Sequence, residues 1–90
     1  MFIRLAPQKV QHSSGYIVQI ADRETVEYLD SQRRASVNVD FAATVGVYAE
    51  TLKEWPAASV QVESSASERA EIISRIVAGL EAMGSEVELC

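Results

Sequence analysis

The sequence predicts a single α+β domain over residues 1–90. It has two layers: a mostly antiparallel meander sheet of about five strands, and one long C-terminal helix packed on one face and followed by a final strand. Three observations lead to this fold. The first half alternates apolar and polar residues with a period of two, residues 65–84 repeat apolar residues with a helical period, and a short alternating segment ends the chain.

The first fifteen residues predict one strand and one loop. Residues 2–5, apolar except for an outward Arg4, predict the first strand, which Pro7 ends or confines to a sheet edge. Residues 8–14 are polar and predict a loop. His12 lies in this loop with no second ligand at metal spacing, so a solvated histidine is favoured over a metal ligand or a general base.

Residues 15–21 and 25–30 predict the next two strands, separated by a charged turn. Short turns between consecutive strands favour antiparallel pairing. The side chains predicted to face the helix are Tyr16, Val18, Ile20, Val26 and Tyr28.

The middle of the chain has the clearest alternation. Residues 35–41 predict a strand with Ala35, Val37, Val39 and Phe41 inward. Residues 44–49 predict another strand, and residues 50–55 one helical turn that Pro56 stops. We expect Trp55 to be buried against the sheet edge or to anchor a partner. Residues 57–64 predict a connector with an extended piece at residues 60–62.

The long helix has a signal at each end. Ser65 and Glu68 have capping-box spacing, and Gly84 stands where a left-handed C-cap belongs. Glu71 and Arg75 form an i,i+4 pair. Gly79 flanks the apolar stripe, so a close approach to the sheet is expected there. The stripe consists of Ile72, Ile73, Ile76, Val77, Leu80 and Met83. In the final strand, residues 85–90, we expect Val87 and Leu89 to point inward.

Charge restricts the classes of partner. With 8 basic and 13 acidic side chains, the net charge is −5. This disfavours direct binding to nucleic acid or to an anionic membrane surface. It suits a basic protein partner, although solubility alone also explains it. The single cysteine, Cys90, and an opening without signal-peptide character predict a cytoplasmic protein.

Strand parity predicts that one sheet face is left open opposite the helix. Its side chains include no Lys or Arg, so the face either is simply solvated or receives basic side chains. The predicted members are Gln19, Thr25, Glu27, Ser36, Asn38, Asp40, Tyr48, Glu86 and Glu88. Among them, Gln19, Glu27, Asn38, Asp40, Tyr48, Glu86 and Glu88 are the predicted partner-binding residues.

No catalytic, cofactor-binding or metal-ligating residues are predicted, and we expect no enzyme activity. Glu86 and Glu88 would stand roughly 6.5–7 Å apart along a strand, a spacing compatible with an inverting glycosidase. A solvated pair without a pocket is favoured instead. Two further classes stay open: a self-associating structural module, in which the final strand lies at a sheet edge, and a small-molecule-binding domain, for which so small a fold leaves little room.

Three segments carry a family resemblance: Gly15-Tyr16-Ile17-Val18, Leu52-Lys53-Glu54-Trp55-Pro56, and the helix from Glu68-Arg69 through Ile72, Ile73 and Ile76 to Gly84-Ser85-Glu86-Val87-Glu88. In this pattern the chain resembles small bacterial immunity proteins of contact-dependent growth inhibition and other polymorphic toxin systems. The resemblance implies an α+β inhibitor with no activity of its own, which binds a cognate toxin domain and blocks its active site or substrate surface. It also implies that the toxin is a nuclease, including the tRNase class, with a basic cleft.

Overall fold

The computed structural model describes residues 1–31, 33–56 and 66–89 of the chain. Within these residues there are seven strands and one helix. Their bounds are β1 (Phe2–Ala6), β2 (Lys9–His12), β3 (Ile17–Ile20), β4 (Thr25–Leu29), β5 (Arg33–Phe41), β6 (Val45–Pro56), α1 (Ala66–Ala82) and β7 (Val87–Leu89). The predicted connector at residues 57–64, the cap Ser65 and Cys90 lie outside the described residues.

All seven strands of the described chain belong to one sheet, in which spatial order follows sequence order. Neighbouring strands from β1 to β6 pair antiparallel, and β7 pairs parallel with β6. The sheet curls into a half-barrel, and α1 packs inside the curl against β2, β3, β4, β6 and β7. The predicted α+β class and the meander are confirmed, but the prediction of about five strands is wrong.

The strand that the sequence did not indicate is β2, which occupies the predicted loop. It has one fully buried side chain, Val10, so its apolar signal is too sparse to register as alternation. His12 is therefore a strand residue and not a loop residue. Its ring stacks on Tyr16 with a centroid distance of 4.7 Å, and Phe2 contacts it edge-on at 4.9 Å.

The strand β5 follows the predicted alternation, because Ala35, Val37 and Val39 are buried. Phe41 departs from it, with 39% of its surface exposed at the end of the strand. The predicted helical turn at residues 50–55 is wrong, since β6 continues through it. Continuing as a strand lets the backbone of β6 pair with β5 as far as Pro56, where a lone helical turn would leave that edge of β5 unpaired.

The helix buries its predicted stripe. Ile72, Ile73, Ile76 and Leu80 are buried, and Val77 and Met83 pack against them. The expected close approach at Gly79 is also present. A Cβ atom at this position would lie 2.6 Å from both Cβ and Cγ2 of Val18, which is closer than non-bonded carbon atoms approach each other.

The C-terminal end of the helix has the predicted glycine cap. Gly84 adopts φ = 97°, in the left-handed region. The N–H of Ser85 donates to the carbonyl of Leu80 at 3.2 Å, and that of Gly84 to the carbonyl of Glu81 at 2.9 Å. These two bonds form a Schellman motif, which turns the chain toward β7.

The last strand, β7, forms one edge of the sheet. Val87 packs against the core as predicted, but Leu89 is 60% exposed. An edge strand has a neighbour on one side only, which leaves Leu89 uncovered. Within the described residues, no helix combines the length and the apolar character needed to cross a bilayer.

Candidate partner-binding face

The outer face of the sheet, defined as the side opposite α1, carries the predicted binding residues. The strand register aligns them in three rows across the sheet. One row contains Lys9, Gln19, Glu27, Ser36 and Lys53. The second contains Thr25, Asn38 and Tyr48, and the third contains Asp40, Gly46 and Glu88.

The register therefore places six of the seven predicted residues on one face. Glu86 is exposed just before β7, two residues from Glu88, and its carbonyl accepts a 2.7 Å bond from the N–H of Val45. Asn38, Asp40, Glu86 and Glu88 are exposed. Gln19, Glu27 and Tyr48 are only half-buried, so each retains some accessible surface.

The predicted absence of positive charge from this face is wrong. Lys9 and Lys53 lie in the row of Gln19, and Arg34 pairs with Glu27 at 3.6 Å. Glu27 also accepts a 3.0 Å hydrogen bond from the side chain of Gln19. Both residues are thus engaged within the fold, in the part of the face that contains cations.

The two carboxylates in a register row without cations, Asp40 and Glu88, lie at one end of the outer face. We call this end, which consists of Asn38, Asp40, Tyr48, Glu86 and Glu88, the acidic end. Neither the row of Asn38 nor the row of Asp40 contains Lys or Arg. The register brings these residues together from β5, β6 and β7 although up to fifty positions of sequence separate them. A partner that contacts this end would meet negative charge around one tyrosine.

A large bulge in β6 borders the acidic end. Ser36 pairs with Lys53 and Asn38 with Tyr48, so one residue of β5 faces residues 49–52 of β6. Inside this bulge the hydroxyl of Thr51 accepts a 2.8 Å bond from the N–H of Asn38 and donates to the carbonyl of Tyr48 at 2.7 Å. Bulges of this kind redirect neighbouring side chains.

The bulge also contributes residues that strand parity did not identify. Glu50 is exposed within it and adds a carboxylate two residues after Tyr48. On the helix side, Leu52 is buried and its carbonyl accepts a 3.1 Å bond from Arg69. The sequence contains one signal for the bulge: Val45, Val47 and Ala49 keep strand parity, and Leu52 breaks it. The side chain of Trp55 lies outside the described residues.

At the opposite end of the sheet a polar network joins α1 to β4 and to Tyr16, the residue before β3. Arg75 donates from Nη1 to the hydroxyl of Tyr28 at 2.8 Å and from Nη2 to Glu71 at 2.6 Å. Its guanidinium also lies over the ring of Tyr16, 5.0 Å from the centroid. Tyr28 donates in turn to Asp30 at 2.7 Å.

The pKa values of the two tyrosines in this network are those of a structural contact. Burial raises the pKa of Tyr28 to about 12, assisted by its bond to Asp30. Burial likewise raises the pKa of Tyr16, against an opposing effect of Arg75. Both phenols are thus held in the neutral form. The bond from Arg75 to Tyr28 and the contact of Arg75 with the ring of Tyr16 both cross from the helix to the sheet side, so the network fixes the helix on the sheet.

Three clefts on the described surface bear on ligand binding. One, of about 280 Å³, is lined by Ser14, Tyr16, Asp30 and Arg75, and an adjoining one, of about 210 Å³, by Asp30, Arg33, Glu68 and Glu71. The third, of about 360 Å³, lies between Gln8, Ile20, Asp22, Arg23 and Phe41. The volume of the third cleft is larger than expected, since so small a fold was predicted to leave little room for a small-molecule site. None of the three is lined by Glu86 or Glu88.

The described part of the chain contains no group of three or more His, Cys, Asp or Glu arranged to hold a metal ion. Open carboxylates on a sheet can attract cationic groups, but they do not enclose a substrate. The comparisons with known proteins add no assignment: no protein-family model, curated protein or solved structure gives a significant match to this chain.

Proposed function

We propose that this protein is an immunity protein, a non-catalytic inhibitor that binds and neutralises a bacterial toxin domain in the cytoplasm. The observation that carries the proposal is the acidic end. It joins exposed Asn38, Asp40 and Glu88 to the half-buried ring of Tyr48 on a sheet face opposite the helix. Aromatic side chains inside a polar rim are common at protein interfaces.

The charge of this surface indicates the chemistry of the partner. The carboxylates of Asp40 and Glu88, in a row without cations, would complement a surface of Lys and Arg, and the net charge of −5 would accelerate encounter with it. Domains that cleave nucleic acids expose such basic surfaces to phosphate. The proposed partner is therefore a basic nuclease domain, of the tRNase class among others, and the inhibitor occludes its active site or substrate surface.

The experiment uses the domain encoded by the reading frame beside this one, which the proposal identifies as the toxin, in a catalytically inactive form for binding and an active form for nuclease assays. We expect a stable one-to-one complex, and loss of RNA cleavage when the two proteins are equimolar. Asp40→Lys and Glu88→Lys should each weaken binding by ~tenfold or more.

Glu81→Lys is the matched control, because Glu81 is exposed on the helix and its reversal changes the net charge by the same +2, from −5 to −3. It should leave the affinity close to that of the unmodified chain. Equal weakening by all three variants would show that only net charge matters, and no weakening by any of them would exclude the acidic end as the interface.

A second candidate is a self-associating module that pairs through a sheet edge. It is favoured by β1, the edge strand opposite β7, where Ile3 and Leu5 are 62% and 50% exposed. Light scattering across a concentration series tests it. A mass that rises with concentration and falls in Ile3→Lys supports edge pairing, and a constant monomer mass removes it.

A further inference from the structure

The cleft of about 360 Å³ lies at the rim of the half-barrel, next to the acidic end. Its two apolar walls are Ile20, which packs partly against the core, and Phe41, the last residue of β5. Phe41 directly follows Asp40, and successive strand residues point to opposite faces. The acidic end and the cleft are therefore two sides of one strand terminus.

The composition of the cleft favours an apolar occupant. Asp22 and Arg23 contribute opposite charges, so together they give the cleft no net charge. One oxygen of Asp22 already accepts a 2.8 Å bond from the N–H of Glu24. Phe41 remains 39% exposed, and exposing a large aromatic side chain to water costs free energy. An apolar group seated against Phe41 and Ile20 would remove that surface from water.

We propose that this cleft receives an apolar side chain of the same basic partner that docks on the acidic end. This inference rests on the proposed function. Hot spots in protein interfaces are commonly anchor side chains that fill a pocket, surrounded by polar contacts that exclude water. Here Asp40 attracts the basic groups on one face of the strand terminus, and Phe41 supplies the pocket wall on the other.

The occupant is thus a segment of the partner that carries an apolar side chain close to Lys or Arg. Charge complementarity with Asp40 and Glu88 brings that segment to the rim, and the neutral cleft selects the apolar residue in it. A free small molecule is the competing occupant. The cleft is at the lower end of the ~300–1,000 Å³ range typical of small-molecule sites.

Binding to the inactive toxin domain provides the first test. Phe41→Ala should weaken it by about tenfold or more, mainly through faster dissociation. Leu29→Ala is the control, because it shortens a partly buried apolar side chain of β4 distant in register from Asp40. It should change the affinity less than threefold by the usual scale of neutral contacts. Unchanged binding in Phe41→Ala, with weakened binding in Asp40→Lys, overturns this inference and leaves the proposed function intact.

A second test does not depend on the toxin. N-acetyl-leucine methylamide is titrated into ¹⁵N-labelled protein, and amide shifts are followed by NMR. Saturable shifts confined to residues around Ile20 and Phe41, and lost in Phe41→Ala, support the cleft as an acceptor of apolar side chains. Shifts that are absent, or that persist in Phe41→Ala, overturn it. If the toxin domain fails to bind at all, the proposed function falls, and this titration alone decides whether the cleft accepts apolar groups.

Discussion

The hydroxyl of Thr51 accepts a hydrogen bond of 2.8 Å from the backbone N–H of Asn38, across the gap that the bulge opens between β5 and β6. The same hydroxyl donates to the carbonyl of Tyr48 at 2.7 Å. One side chain thus satisfies two backbone groups that the interrupted ladder would leave unpaired. Asn38 and Tyr48 are both members of the acidic end, so Thr51 fixes the backbone of two proposed contact residues.

Replacement of Thr51 by Val keeps the shape of the side chain and removes the hydroxyl. We expect a loss of about 1 kcal/mol in the free energy of unfolding, because the N–H of Asn38 and the carbonyl of Tyr48 lose their partner. Urea unfolding measures this loss, and amide hydrogen exchange at Asn38 should accelerate. Thr51→Ser retains the hydroxyl and should restore most of both values. Unchanged exchange at Asn38 in Thr51→Val would contradict the bridging role.

Gly79→Ala should destabilise the protein although alanine favours helices. The gain in helix propensity is about 1 kcal/mol, whereas the new Cβ would lie 2.6 Å from Val18 and overpack the core at a cost of about 1–3 kcal/mol. A double-mutant cycle with Val18→Ala isolates the clash. We expect Gly79→Ala to be less harmful in the Val18→Ala background. A single variant more stable than the original chain would show that helix and sheet separate freely here.

The stability of the protein should fall in alkali as the pH rises from 10.0 to about 12. Burial, together with the bond to Asp30, raises the pKa of Tyr28 from 10.0 to about 12 in the folded protein. The unfolded chain then loses its phenolic proton before the folded chain does, so stability is intact below pH 10.0 and declines above it. Tyr28→Phe should reduce this decline. Tyr16, whose pKa is also raised, should retain part of it.

Urea unfolding at a series of pH values, combined with ultraviolet absorbance of tyrosinate, measures both effects. At neutral pH, Tyr28→Phe should cost roughly 1–3 kcal/mol because Arg75 and Asp30 each lose a hydrogen-bond partner. Tyr48→Phe is the control, because Tyr48 lies outside this network on the outer face. An identical alkaline decline in Tyr28→Phe and the unmodified chain would refute the assignment to Tyr28.

Association with the inactive toxin domain should slow as ionic strength rises, since salt screens attraction beyond a distance of about 8–10 Å. Asp40→Lys should flatten this dependence more than Glu81→Lys, although the two variants have the same net charge. Stopped-flow rates at several salt concentrations separate this steering effect from dissociation. If the two variants have the same salt slope, the attraction comes from net charge and not from the acidic end.

Sequence patterns predicted the parts of the fold in which burial is regular. The inward alternation of β5 and the stripe of α1 both follow from period alone, and the cap at Gly84 follows from the position of a glycine at the end of that stripe. The sequence patterns failed where backbone hydrogen bonds, and not the burial of side chains, determine whether a segment is a strand. β2 is a strand with one fully buried side chain. β6 continues through a bulge, and between Ala49 and Leu52 this bulge changes which alternate residues face the helix.

The candidate site shows the same division. Alternation placed Asn38, Asp40 and Glu88 correctly on one face, since it required only that successive side chains of a strand point to opposite faces. It could not place Lys9, Lys53 or Arg34 there. Lys9 belongs to the missed strand, Lys53 follows the bulge, and the outward direction of Arg34 depends on where β5 begins. The division of this face into a mixed region and an acidic end thus required the register.

The parallel pairing of β7 with β6 has a consequence for the order of folding. The antiparallel strands β1 to β6 are joined by short turns, so they can pair one after another through contacts between residues that are close in sequence. The register of Val45 with Val87 closes a loop of about forty residues and requires that α1 has already crossed the sheet. We therefore expect β7 to join last, so in a late folding intermediate Glu88 would not yet lie beside Gly46 and the acidic end would be incomplete.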